Sequence, residues 1–219
     1  MSQSHGPDHL IVNPDIENYI ESLTPPLDDV RREMEEYARE HGFPIVGPSV
    51  GRLLYQLTLI SGAGEIIELG SGFGYSAYWF AKALAVLGRG RVILTDAARD
   101  NAEMAEGFLT RAGLMDRVEI KVGDALEIFD GEKGPFDIIF NDVDKEWYPP
   151  LVGKAYAKLR TGGLFITDNT LWHGRVLSPE DNSTATEGVR EFTKLLFAEE
   201  GFYSTVLPVR DGVSISLKL

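Results

Sequence analysis

Two short stretches put oxygen and nitrogen groups where they could do chemistry together: Asn141-Asp142-Val143-Asp144-Lys145 and Thr167-Asp168-Asn169. Each follows a β-rich apolar run, Phe136 to Phe140 and Leu164 to Thr167, so each stands at the end of a strand. If the two strands are parallel, their carboxyl ends open on the same edge and Asp142, Asp168 and Asn169 can converge on one point. Two carboxylates and an amide oxygen suit a hard divalent cation, magnesium first and manganese or calcium as alternatives, and need neither thiolate nor imidazole. The same residue types also cap helices and turns, and that reading stays open here. Lys145, three residues past Asp142, is either a solvated surface lysine or a base, since a nearby divalent ion favours its neutral form. The second stretch continues into Trp172 and His173. Trp172 could wall an aromatic substrate or pack in the core or a dimer contact, and His173 could touch that substrate or be structural.

A further group lies upstream. Glu65 to Ser76 reads Glu-Ile-Ile-Glu-Leu-Gly-Ser-Gly-Phe-Gly-Tyr-Ser, which puts Gly70, Ser71, Gly72 and Gly74 between a strand-like run and a helical one. Glycines there let the chain turn sharply and approach a ligand closely; a tight turn without a ligand is the alternative. The spacing is G-x-G-x-G, not the G-x-G-x-x-G whose helix terminus receives a pyrophosphate, and Glu68 lies just inside the strand. A carboxylate beside the ligand fits a cation better than a phosphate, and S-adenosylmethionine carries a sulfonium and an ammonium but no phosphate. Asp96 ends the next β-rich run, close to the spacing of about 20 residues at which an acid accepts hydrogen bonds from ribose hydroxyls; it could instead cap the helix that follows. Gly123-Asp124-Ala125 makes a turn after the third run that could set small side chains over an adenine ring. Three such features in order, each at a strand's carboxyl end, point to a nucleoside ligand in the crevice of an open sheet.

The elements that must position these groups alternate. Strand-like runs at Ile66 to Leu69, Arg91 to Thr95, Val118 to Val122, Phe136 to Phe140 and Leu164 to Thr167 are separated by helical runs at Tyr75 to Leu87, Ala98 to Ala112, Ala125 to Phe129 and Pro149 to Leu159. That alternation predicts an α/β fold with a parallel sheet covered on both faces. Ser183 or Thr184 is expected to cap the last helix, with Thr184 and Glu187 spaced as a capping box and Val189, Phe192, Leu195 and Leu196 as its buried stripe. Two strands, Tyr203 to Leu207 and Val213 to Leu219, then meet across Arg210-Asp211-Gly212 in an antiparallel hairpin. Before the sheet come a helix from Leu27 through Val30, Met34, Tyr37 and Ala38, stopped by His41-Gly42, and a second with Val50, Leu53, Leu54, Leu57 and Ile60 on one face. Residues 1–26, ending at Pro25-Pro26, read as an arm with one or two helical turns around Ile16, Tyr19, Ile20 and Leu23, and 27–219 as one domain.

Composition narrows the chemistry. The 219 residues, 43% apolar and 25% charged, suit a globular chain with one core. No run is long enough to cross a bilayer and the amino terminus carries no signal pattern, which predicts a cytoplasmic protein with no membrane partner. The absence of cysteine removes disulfides, thiolate metal sites and a cysteine nucleophile. With 34 acidic against 21 basic side chains the net charge is −13, which disfavours nucleic acid and favours a small-molecule substrate.

Together these residues resemble the cation-dependent class I O-methyltransferases, which include catechol O-methyltransferase, plant caffeoyl-coenzyme A O-methyltransferase and bacterial relatives. The likeness runs from about Leu27 to Leu219 and rests on Glu-Leu-Gly-x-Gly-x-Gly-Tyr-Ser at 68–76, Asp-Val-Asp-Lys at 142–145, Asp-Asn-Thr-Leu-Trp at 168–172 and Asp-Gly at 211–212. The resemblance implies a Rossmann-like class I methyltransferase fold, a seven-stranded mostly parallel sheet in the order 3-2-1-4-5-7-6, and a homodimer. It implies a divalent ion on Asp142, Asp168 and Asn169, with Lys145 as the base at the acceptor hydroxyl and Asp142 touching both ion and cofactor. It further implies S-adenosylmethionine contacts from Val46, Glu68, Gly70, Ser76, Asp96, Ala125 and Asp144, to which the loop and turn readings add Ser71, Gly72 and Asp124. A phenolic or catechol-like acceptor would meet Lys145, Trp172 and His173. Two positions depart from the pattern: Asn141 stands where an apolar residue is common, and His173 stands where plant enzymes have a substrate-contacting asparagine, so the plant substrate is not carried over. The competing readings are a non-catalytic S-adenosylmethionine-binding homodimer, a nicotinamide-dependent oxidoreductase, which predicts G-x-G-x-x-G, and a methyltransferase of RNA or protein, for which an Asn-Pro-Pro-Tyr-type run is missing after the fourth strand.

Overall fold

The alternation of β-rich and amphipathic runs closes into one sheet in a computed structural model of the chain, which describes residues 11–24 and 28–219. Helices α1 (Pro14–Ser22), α2 (Asp29–His41) and α3 (Gly47–Ser61) precede it. The sheet follows as β1 (Glu65–Leu69), α4 (Tyr75–Leu87), β2 (Arg91–Asp96), α5 (Arg99–Arg111), β3 (Val118–Val122), α6 (Ala125–Gly131), β4 (Phe136–Asn141), α7 (Leu151–Lys158), β5 (Leu159–Thr167), α8 (Thr184–Ala198), β6 (Phe202–Leu207) and β7 (Val213–Lys218). The strand order is β3-β2-β1-β4-β5-β7-β6, parallel from β3 to β5, with β7 antiparallel to both neighbours. This is the order implied by the family resemblance.

A parallel sheet covered on both faces needs apolar residues of both parities, and β1 shows the consequence. Ile66 faces one core layer with Val50, Leu54, Tyr78, Phe80 and Ile138, while Ile67 faces the other with Phe129, Leu151, Phe165 and Phe192. With helices on both sides, the carboxyl ends of β1, β2, β4 and β5 are left open at one edge.

The differences from expectation are local. Leu27 and Pro25-Pro26 lie outside the described residues; within them, α2 is capped by Asp28, whose side chain accepts the Arg31 N–H at 2.9 Å. α1 runs for nine residues, capped by Asn13, and its Ile16, Tyr19, Ile20 and Leu23 are exposed. In α3 the inward row is Val50, Leu54 and Thr58; Leu53 and Leu57 are half-buried, and Ile60, expected on the buried face, is exposed on the last turn. α8 is capped by Ser183, so Glu187 falls one position beyond the third helical residue that a capping box requires, and Thr186 takes that place. Leu195, expected in the buried stripe, is exposed because the inward row is Val189, Phe192 and Leu196. β5 starts at Leu159 rather than Leu164, since the chain already pairs with Phe136 before a register shift.

Candidate functional site

The open edge holds a cavity of about 480 Å³ between the strand ends and the Phe43–Val46 loop. Its geometry follows from the sheet ladder running one residue past each strand. Asp142 N–H donates to the Leu69 carbonyl at 2.9 Å and Asp168 N–H to the Asn141 carbonyl at 3.1 Å, so both aspartates are set on the same edge of adjacent strands. Gly70 is where this edge is most crowded: at φ 79 it adopts a left-handed turn, and a Cβ on it would lie 2.9 Å from the Asp142 carbonyl oxygen. Asn141 closes β4 fully buried, its Oδ1 accepting the Val143 N–H at 3.4 Å.

One half of the cavity is built from backbone amides and an aspartate. Gly72 N–H donates to Asp96 Oδ2 at 2.8 Å, while Asp96 Oδ1 accepts from Ala98 N–H at 2.9 Å and Asn101 Nδ2 at 3.0 Å. Asp96 therefore organises the turn into α5 and lines the cavity as well. Asp124 caps α6, its Oδ1 accepting the N–H groups of Leu126 and Glu127, each at 2.9 Å. Val46, Gly70, Ser71, Gly72, Ser76, Asp96, Asp124, Ala125, Asp142 and Asp144, all expected at a cofactor, line the cavity. Glu68 does not. It lies fully buried behind Ser76, which donates to its Oε1, and Oε2 has no hydrogen-bond partner among the described residues. Burial pushes its carboxyl up to about 8, and the nearby Asp142 and Asp96 push in the same direction.

The other half is acidic and under-compensated. Asp168 is buried, and its Oδ1 finds no hydrogen-bond partner among the described residues. Burial, then the charge of Asp142, pushes its carboxyl up to about 8. Asp142, with 25% of its side chain exposed, is likewise raised by burial, against the pull of Lys145. Lys145 Nζ lies 3.1 Å from Asp142 Oδ1 and 3.3 Å from the Val143 carbonyl, over the rings of Tyr148 and Trp172. Asn169, at φ 55, occupies the left-handed region that Asn tolerates better than most residues, and its Nδ2 donates to Asp211 Oδ2 at 3.3 Å. Among the described residues no three His, Cys, Asp or Glu side chains form a metal-binding group; the set that could hold a hard cation is two carboxylates and an amide. The residues present fit such an ion, because each carboxylate disfavours the other's charge and a divalent charge would stabilise both.

Trp172 and His173, expected at the acceptor, do not line the cavity. Positive φ at both, 48 and 52, puts each in the left-handed region, and the Trp172 ring packs beside the site beneath Lys145 Nζ. Trp172 Nε1 donates to Thr186 Oγ1 at 3.1 Å on α8, and His173 is 62% exposed with Nε2 3.6 Å from Asp211 Oδ2. Phe43, Asn101 and Trp147 do line it without having been singled out. Arg210 and Asp211 support it from the β6–β7 hairpin: Arg210 Nη1 donates to the Ile45 carbonyl at 2.7 Å and its charge lowers the Asp142 and Asp168 carboxyls. The sequence signals for this pair are the turn Arg210-Asp211-Gly212 and, for Asp211, the Asp-Gly piece of the family resemblance, and neither carries what the turn packs against.

The O-methyltransferase family model matches residues 22–219. A catechol O-methyltransferase from Niastella koreensis is 32% identical over 213 residues, covering 92% of this chain and 96% of that protein. Caffeoyl-CoA O-methyltransferase 1 of Eucalyptus globulus is 31% identical over 211 residues, covering 90% of this chain and 85% of its own length. Among solved structures, the O-methyltransferase from Bacillus cereus in complex with SAH superposes with a TM-score of 0.84 at 30% identity, covering 94% of this chain and 97% of that one.

Proposed function

The chain belongs to the O-methyltransferase family, and from that premise we propose that it transfers the methyl group of S-adenosylmethionine to a hydroxyl of a small phenolic, catechol-like acceptor, with a divalent cation held by Asp142, Asp168 and Asn169. Bound there, the cation would supply a Lewis acid that acidifies the acceptor hydroxyl, as S-adenosylmethionine would supply an electrophilic methyl carbon. The chain's own residues do the rest. Val46, Gly70, Ser71, Gly72, Ser76, Asp96, Asp124, Ala125 and Asp144 bind the cofactor, with Glu68 supporting from behind Ser76. Lys145 Nζ, anchored on Asp142, receives the hydroxyl proton. Trp172, its ring beneath Lys145 Nζ, and His173, its Nε2 3.6 Å from Asp211 Oδ2, stand beside the proposed cation ligands and would meet the acceptor. Holding nucleophile and methyl group aligned can contribute on the order of 7–11 kcal/mol, so positioning carries much of the rate.

The observation that carries this reading is Asp168 Oδ1, a buried carboxylate oxygen with no hydrogen-bond partner among the described residues, beside a second carboxylate on the next strand end. The test is labelled-methyl transfer to a catechol with and without a chelator; turnover that chelation leaves unchanged overturns the cation dependence. Magnesium is the first ion to try, with manganese and calcium beside it.

In the same reading, 27–219 forms one catalytic domain and 1–26 an arm. The exposed apolar residues of α1 favour a homodimer, and the net charge of −13 argues against a nucleic-acid partner. Among the described residues no helix is long and apolar enough to cross a membrane. A cytoplasmic location suits a chain without cysteine, which gains nothing from an oxidising compartment.

A further inference from the structure

The cation site needs the amide oxygen of Asn169, not its nitrogen, turned toward Asp142 and Asp168. An amide beside two carboxylates would by itself turn its N–H groups to them, because a carboxylate accepts and cannot donate. Something must hold the nitrogen elsewhere. The hydrogen bond from Asn169 Nδ2 to Asp211 Oδ2, 3.3 Å long, does this from a different part of the chain. Asp211 is 8% exposed, and its Oδ1 accepts the backbone N–H of His173. The two loops are locked backbone to backbone: Thr170 N–H donates to the Gly212 carbonyl at 3.0 Å and Leu171 N–H to the Asp211 carbonyl at 2.9 Å. Gly212, at φ 85, permits the approach, since a Cβ there would fall 2.8 Å from the Leu171 nitrogen.

We propose that Asp211 is a positioning residue that fixes the orientation of the Asn169 amide, so that the β6–β7 hairpin decides whether the strand edge presents oxygen or nitrogen to a cation. The proposal rests on the cation reading above. Each carboxylate oxygen of Asp211 serves a different donor, and an asparagine in its place has one acceptor oxygen for the two. Asp211→Asn therefore frees the Asn169 amide to rotate.

The test is calorimetric titration of Mn²⁺ into the cofactor-free protein, with S-adenosylhomocysteine binding as a control on the fold. Asp211→Asn is expected to weaken Mn²⁺ binding about 10- to 100-fold, the range for groups that orient metal ligands, with S-adenosylhomocysteine affinity within about twofold of the unsubstituted protein. Asp211→Ser, with one acceptor on a shorter stem, repeats the measurement should Asp211→Asn fold poorly. The Asn169→Asp background separates orientation from charge, because a carboxylate at 169 has no nitrogen to misplace. There Asp211→Asn should leave Mn²⁺ binding unchanged or tighter. An equal loss in both backgrounds means that Asp211 acts by charge alone and overturns the proposal, as does no loss in the Asn169 background. Asp168→Asn identifies the other failure: if it binds Mn²⁺ as tightly as the unsubstituted protein, the cation reading itself is wrong and the positioning role falls with it.

Discussion

Strand β4 has an aspartate near its start, Asp137, and another just past its end, Asp142, and the two live in opposite electrostatic conditions. At the amino edge of the sheet, Asp137 Oδ2 accepts the N–H groups of Gly64 at 2.6 Å and Glu65 at 2.8 Å, and Arg160 pairs with Oδ1. Burial works against its charge, but the Glu65 N–H, the Arg160 guanidinium and the Gly64 N–H outweigh burial and hold the carboxyl below its ordinary value. At the carboxyl edge burial raises Asp142, with Asp168 beside it, against the pull of Lys145 and Arg210. Identical side chains on one strand thus serve different ends. Asp137 ties β1 to β4 and β5, while Asp142, paired with Lys145, stands beside Asp168, whose Oδ1 has no hydrogen-bond partner among the described residues.

That contrast breaks most readily at Asp168. Asp168→Asn should lower methyl transfer on the order of 10³-fold, equivalent to several kcal/mol of lost transition-state stabilisation. The melting temperature of the cofactor-free protein should hold near neutral pH, where Asp168 is already protonated, and rise above about pH 8, where a repelling buried charge is removed. A steady-state assay and a thermal melt on the same sample check both halves. Next is Lys145→Met, which should reduce turnover about 10²-fold and leave S-adenosylhomocysteine affinity unchanged, as expected for loss of a proton acceptor rather than a binding group. Asp137→Asn is the mirror case: a loss of about 1–3 kcal/mol in denaturant unfolding, from buried donors left with a poorer acceptor, and turnover per folded molecule unaltered.

The smallest effect is in pH dependence. Glu68 and Asp168 titrate near 8 in the folded chain against ordinary values of 4.5 and 3.8, so between these limits the folded state keeps protons that the unfolded state has lost. Stability contributed by that difference is complete below the ordinary values and declines as pH rises through about 8. Asp137 has the opposite sign, its contribution being present above 3.8 and lost as pH falls through its depressed folded value. Thermal melts of the cofactor-free protein should therefore decline from pH 6 to 9, and Mg²⁺ should flatten the decline by stabilising ionised Asp168.

The order of strands and the edge on which the site lies were readable from the chain because both rest on local signals: alternating apolar periods, a glycine run, and acids immediately after apolar runs. Asp142, Asp168 and Asn169 come from adjacent strands, so placing the strands placed the residues. What could not be read depends on contacts between segments far apart in sequence. Asp211 looks like turn chemistry until the hairpin is seen packed on the 169–173 loop, and Arg210 reaches Ile45 across most of the chain. The left-handed backbone at Trp172 and His173 leaves no record in sequence periodicity; with it Trp172 packs against Lys145 and Thr186 and does not line the cavity. Glu68 lies fully buried behind the cavity-lining Ser76, a depth that the glycine-loop pattern does not carry.

On the proposed function, Asp142, Asp168 and Asn169 at the carboxyl edge of the sheet hold a divalent ion. A crystal structure of the protein soaked with Mn²⁺ tests it most directly through the anomalous signal. One peak about 2.0–2.3 Å from oxygens of Asp142, Asp168 and Asn169 together is the expected result, at distances typical of hard cations on oxygen. A fully loaded crystal with no peak there, or with Asp168 Oδ1 still unliganded while the ion binds elsewhere, contradicts it.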